Sequence, residues 1–138
     1  MIRIAVALMA VAAPAAAQVA PVTFDSGKSL PLAAGQWSYI ATPTGGEARF
    51  ANQLLLLCDK PTRTVTISRP GAPVAALTVI TDSQVRTIAP NGRLSAYDPL
   101  LDAMAFSRGR FLVSGGREAV LAVPSWPEAA RAIEDCRN

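Results

Sequence analysis

Histidine is absent from all 138 residues, and that absence excludes more chemistry than any other feature of the chain. Without an imidazole there is no Ser-His-Asp or Cys-His nucleophile, no histidine metal ligand and no ordinary proton shuttle near neutral pH. Cysteine is scarce: Cys58 and Cys136 are the only two, and they do not form C-x-x-C. Long apolar runs are missing as well. No stretch approaches the roughly 20 residues a membrane-spanning helix needs. The longest in the body of the chain, Leu54-Leu55-Leu56-Leu57-Cys58, reads as a strand buried on both faces.

Charge of one sign is not concentrated anywhere. Lysine and arginine number 13 against 10 acidic residues, and the basic residues are scattered singly, with Arg108 and Arg110 the one tight pair. A nucleic-acid interface needs a basic stripe or patch, so that class is excluded. Glycine pairs occur at Gly45-Gly46 and Gly115-Gly116, but neither precedes a helix with the lysine and hydroxyl of a phosphate loop. There is no G-x-S-x-G, no S-x-x-K around Lys28 or Lys60, and no D-x-D-x-D-G calcium loop. No catalytic residue, metal site or cofactor is expected.

What is present begins at the N-terminus. Met1-Ile2-Arg3 is a short positive segment, Ile4–Val11 is apolar, and Ala15-Ala16-Ala17 offers small residues at a cleavage point. This is the pattern of a secretory signal peptide over residues 1–17. It places the protein in the periplasm or outside the cell, where thiols oxidise. No cysteine follows the cleavage point, so no lipid anchor is expected. Cleavage leaves Gln18–Asn138 with a net charge of about +2. By length this is one domain. Cys58 and Cys136, the only available pair, then read as a structural disulfide. The loop it closes is long, and the chain-entropy model assigns such a bridge roughly 4 kcal/mol.

Along the chain, residues 18–34 read as an extended leader with a short edge strand at Val22–Phe24, and residues 35–138 as a single β-rich domain. Gly35–Thr42, rich in aromatic and β-branched residues, is a strand with Trp37 and Tyr39 on one face. Glu47–Phe50 pairs back after the turn at Pro43-Thr44-Gly45-Gly46. Gln53–Asp59 is central. Arg63–Arg69 alternates cleanly, with Val65 and Ile67 inward. Ala76–Thr81, Gln84–Ile88 and Arg93–Tyr97 are further strands, the last two joined as a hairpin by Asn91-Gly92. Asp98 caps a short helix with Pro99 at its first position and Leu101, Met104 and Ala105 on one face. Arg110–Ser114 and Arg117–Val123 are strands around a tight Gly115-Gly116 turn.

The last element is a helix opened by the capping box Ser125-x-x-Glu128. Its buried face holds Trp126, Ala129/Ala130, Ile133 and Cys136, and Arg131 and Asp135 pair on the opposite face. The expected fold is mainly β (α+β): an antiparallel sandwich or barrel, a short helix, and a C-terminal helix stapled to the sheet.

Two arginines on the Ser107-Arg108-Gly109-Arg110 turn are the candidate anion- or partner-binding residues. Their alternative role is structural, capping helix carbonyls or pairing with Asp98 and Asp102. Those two carboxylates, one turn apart, suit a structural N-cap and ion pair better than acid–base work. Glu134 and Asp135 sit where the helix dipole disfavours negative charge, which points to a contact with an arginine such as Arg137 or Arg110.

Several features are shared with a known group. They are the alanine-rich leader, the strand with Trp37-Ser38-Tyr39, the cysteine ending Leu54–Cys58, the short helix before Arg110–Val113, and Leu121-Ala122-Val123-Pro124 leading into the terminal segment. In this layout the chain resembles small secreted proteins of the invasion-associated locus B type and similar periplasmic proteins of alphaproteobacteria. The resemblance implies a non-enzymatic, β-rich envelope protein and carries no catalytic residues. The expected function is binding of another protein or an envelope component, with a strand edge as docking surface. The competing expectation is a small-ligand carrier or enzyme using Asp98, Asp102, Arg108 and Arg110 in a cleft.

Overall fold

The computed structural model describes residues 10–12, 21–117 and 119–138. The signal segment expected over residues 1–17 lies largely outside them. Among the described residues, nine strands form two antiparallel sheets. The first has the order β1-β2-β3-β4-β7, from β1 (Trp37–Thr42), β2 (Gly45–Phe50), β3 (Leu54–Asp59), β4 (Thr64–Ser68) and β7 (Arg93–Ser95). The second has the order β6-β5-β8-β9, from β5 (Leu77–Ile80), β6 (Val85–Ile88), β8 (Arg110–Ser114) and β9 (Leu121–Pro124). Helices α1 (Phe24–Gly27), α2 (Pro99–Ala105) and α3 (Pro127–Asp135) complete the domain.

Alternation explains the sandwich. Val65 and Ile67 of β4, Ala48 and Phe50 of β2, and Leu54 and Leu56 of β3 turn inward and are buried, while their neighbours turn out. They meet Leu77, Val79, Phe111, Val113, Leu121 and Val123 of the second sheet in one core. Trp37 ties the two layers. Its ring packs edge-on against Phe50 at 5.6 Å and beside Phe111 at 6.4 Å, and its Nε1 donates to the Pro124 carbonyl at 2.7 Å. The buried indole N–H is therefore satisfied across the sheets. The leucine run of β3 is one-sided rather than buried on both faces: Leu57 is 36% exposed. It lies in a cross-strand row with Ile40, Glu47, Thr66 and Arg93, on the face opposite the core.

Four local expectations are corrected by the structure. Asn91-Gly92 does make a turn, with Gly92 at φ 65° and its N–H bonded to Ala89. The flanking strands nevertheless part into different sheets, because β4 captures the chain at once through Ile67 N–H to Gly92 O. Gly115-Gly116 opens a loop rather than a tight turn, and β9 begins only at Leu121. The Gly115 carbonyl is held by Arg69 at 3.0 Å, which draws the chain aside before it returns.

The capping box does not form either. Pro127 takes the first helical position, so Trp126 becomes the N-cap with no side-chain bond. Trp126 is accordingly 44% exposed instead of lying on the buried face. The leader is not extended throughout: in place of a strand at Val22–Phe24, Thr23 and Ser26 cap each other's backbone N–H groups and start α1. The segment then crosses the outer face of the second sheet. Val22, Phe24 and Leu30 cover Ile80, Leu112 and Ala122, and Ala33 N–H bonds Ala122 O on the β9 edge at 2.8 Å.

Cys58 and Cys136 form a disulfide with their Cα atoms 5.5 Å apart, and both are fully buried. It joins the end of β3 to the end of α3. A glycine pair makes the close approach possible. A Cβ on Gly45 would sit 2.6 Å from Cys58 Sγ, and one on Gly46 would sit 2.5 Å from Asp135 Oδ2 and 2.8 Å from the Tyr39 hydroxyl. Tyr39 donates its hydroxyl to Asp135, and Arg131 stacks on the Tyr39 ring at 4.0 Å. The Arg131–Asp135 pair expected along the helix is thus replaced by two contacts to β1. Arg63, in the left-handed region at φ 52°, donates to the carbonyls of Cys136 at 3.0 Å and Asn138 at 2.9 Å.

The bridge closes a separation of 78 residues, for which loop entropy gives about 4 kcal/mol. The double variant Cys58→Ser/Cys136→Ser is expected to melt about 15 °C lower than the oxidised protein. Calorimetry of the two proteins side by side checks this.

Candidate binding surface at one end of the sandwich

The four residues of the expected cleft are each engaged elsewhere. Asp98 caps α2 by accepting from Leu100 N–H at 2.9 Å and takes Arg86 on its other oxygen at 2.5 Å. Burial pushes its carboxyl upward, but the hydrogen bonds from Arg86 and Leu100, with the charge of Arg86, leave its pKa below the usual aspartate value. Asp102 accepts from Arg137 at 2.7 Å. Arg137 also donates to Ala96 O, so this pair ties α2 and the C-terminal residues to the chain just beyond β7. Arg110 donates to the carbonyls of Leu30 at 2.5 Å and Gly27 at 3.2 Å, holding the α1 segment on the second sheet. Arg108 pairs with Asp82 at 3.1 Å.

The alternative role foreseen for the arginines has the right character but different partners. Arg110 holds the last carbonyl of α1 and that of Leu30 beyond it, rather than carbonyls of α2, and Arg108 chooses Asp82 over Asp98 or Asp102. No cluster of three or more potential metal ligands occurs among the described residues.

Arg108 nevertheless stands at a constructed place. Three loops converge at one end of the second sheet: residues 81–84 between β5 and β6, 106–109 between α2 and β8, and 125–126 between β9 and α3. Thr81 builds the first by accepting from the backbone N–H groups of Ser83 and Gln84. The buried Ser107 hydroxyl accepts from Asp82 N–H at 3.1 Å and donates to Arg110 O at 2.6 Å. Asp82 also accepts from the Arg108 backbone N–H at 3.2 Å. Gly109, at φ 76° where a side chain would be strained, takes Ser125 N–H on its carbonyl at 3.4 Å. The bases of the loops are hydrogen-bonded to each other.

On these loops Phe106 is 81% exposed and Trp126 44%, the Arg108 side chain is 88% exposed, and Val85, which opens β6 next to the first loop, is 61% exposed. Single exposed apolar residues need no explanation. Two aromatics and an arginine on loops held at their bases are the residue types that dominate interface energetics.

From the sequence Arg108 stands out here, Trp126 reads as packing more readily than as a groove residue, and Phe106 and Val85 go unmarked. The signals were present. Phe106 falls off the apolar stripe of Leu100, Leu101 and Met104 and directly precedes Ser107-Arg108-Gly109, so it has no core to enter. Trp126 precedes a proline that must start a helix, which puts it outside the helical face. Val85 opens an edge strand.

Substitution separates the two arginines. Arg110→Ala is expected to cost about 1–3 kcal/mol and to speed amide exchange across residues 22–33, while Arg108→Ala stays within about 0.5 kcal/mol of the parent. Urea denaturation with hydrogen-exchange mass spectrometry measures both.

Comparison with protein-family models, with curated proteins and with solved structures finds no match to this chain, so a functional reading has to rest on the loop surface itself.

Proposed function

We propose that the protein is an exported, non-enzymatic binding module that holds another protein against Val85, Phe106 and Trp126, with Arg108 beside them. The observation that carries this reading is the exposure of two aromatic side chains on loops whose bases are hydrogen-bonded together. Rigid aromatic groups lose little conformational freedom on docking. A buried Phe or Trp anchor is commonly worth about 2 kcal/mol or more. Arg108 is only loosely engaged by Asp82, so its charge is available to an acidic rim on the partner.

Export is supported by the leader sequence and by the buried disulfide, which needs an oxidising compartment to form. Among the described residues no helix is long and apolar enough to cross a membrane. The resemblance in layout to invasion-associated locus B-type proteins points to the same envelope setting. The carrier or enzyme reading has less support, because Asp98, Asp102, Arg108 and Arg110 have four different sets of partners.

Site-specific photo-crosslinking in intact cells tests the proposal. A benzophenone amino acid at position 106 or 126 is expected to give the same discrete adduct. The same probe at Arg93, exposed on the edge of the other sheet, should give none. Failure to form an adduct at 106 and 126, or an equal adduct from 93, contradicts this surface.

A further inference from the structure

At the opposite end of β5 from these loops, a second arginine pair is built in a way the proposed function does not use. Arg69 follows β4 and is 8% exposed, an uncommon degree of burial for a guanidinium. Its Nη1 donates to Gly115 O at 3.0 Å. Its Nε is enclosed and has no hydrogen-bond partner among the described residues. Arg117, on the β8–β9 loop, donates Nη2 to Pro70 O at 3.1 Å. Each arginine is thus pinned by a carbonyl of the other's loop.

The two charges are close enough to act on each other. Burial first, and Arg117 second, lower the Arg69 pKa from the ordinary arginine value. Neither guanidinium has a carboxylate partner among the described residues. A buried cation beside a like charge is costly unless an anion compensates it.

Beside Arg69 lies an open hollow of about 70 Å³, lined by Ile67, Pro73, Val74, Leu77 and Pro90 with Ser68 as a polar member. Its walls are mostly apolar and its one charged side chain is cationic. We infer that this hollow is a binding site for a small aliphatic carboxylate, whose oxygens accept from the terminal Nη groups of Arg69 while its carbon chain packs on Pro73 and Val74. The planar fork of arginine suits a carboxylate. Arg117 adds attraction from the rim, and the volume admits only a few carbons. The site and the aromatic loops lie at different ends of the second sheet, so neither depends on the other.

The probe is propionate, titrated into the full-length mature protein and followed by backbone and arginine side-chain NMR. At fixed ionic strength, saturable shifts are expected at Ala72, Ala75, Gly115, Gly116 and Arg69 Nε, with a dissociation constant of about 1 mM. Propylammonium should leave these signals unmoved, and sulfate should shift them less at equal concentration.

Arg69→Lys keeps the charge and loses the fork, and is expected to weaken propionate about tenfold. If that variant does not fold, the exposed Arg117→Ala decides, with an expected loss of about threefold. No saturable shift with propionate overturns the inference. So does a response of equal size to propylammonium or sulfate, or undiminished affinity in the folded arginine variant.

Discussion

The bond between Cys58 and Cys136 is the constraint around which the rest of the domain is arranged. It fixes the end of α3 to the central strand of the first sheet, and the surrounding residues are chosen by that proximity. Gly45 and Gly46 have no room for a Cβ, because the disulfide and the Tyr39–Asp135 contact fill the space. Arg63 adopts a left-handed backbone and closes the carbonyl end of the terminal segment. Arg137 reaches Asp102 and Ala96 O, so α2 and the chain leading to it are held to the same C-terminal segment. A modest core is joined covalently where its last helix would otherwise fray.

Outside that anchor, the sandwich is closed by polar contacts that bridge its layers. Trp37 contributes bulk to the core and one hydrogen bond from the first sheet to the second. Arg110 and the Gly27–Leu112 contact hold the α1 segment over the outer face of the second sheet. Arg69 ties the end of β4 to the loop after β8. Arginines do most of this work because one guanidinium can serve several carbonyls or carboxylates at once. That use explains why a chain with an excess of base shows no basic stripe: many of its arginines are fasteners.

Where periodicity and local chemistry decide the structure, the sequence was readable. Val65 and Ile67 announce a half-buried strand, Asp98-Pro99 announces a capped helix, and two lone cysteines behind a signal-like leader announce a bridge. Mainly β architecture with a C-terminal helix follows from the same signals. Most of the unreadable parts are settled at long range. Asn91-Gly92 specifies a reversal but not which strand takes the outgoing chain, and β4 competes successfully for β7. The leader folds because Arg110, 80 residues from Leu30, offers donors to its carbonyls. Ser125 and Glu128 match a capping box in spacing, yet Pro127 shifts the helix start by one position. The candidate surface was half legible: Arg108 stands out by its pairing with Arg110, whereas the exposure of Phe106 and Trp126 depends on where two helices end and begin.

One physical picture therefore covers stability and the proposed binding surface. A disulfide fixes the terminal helix to the first sheet, and at one end of the second sheet three loops hydrogen-bonded at their bases display aromatic groups that have nowhere inside to go. The most direct test of the lock is hydrogen exchange of the intact protein before and after reduction. Reduction is expected to release the amides of Pro127–Asp135 in α3 while β5 and β8 in the second sheet keep their protection. Unchanged protection of α3 in the fully reduced protein would contradict the account.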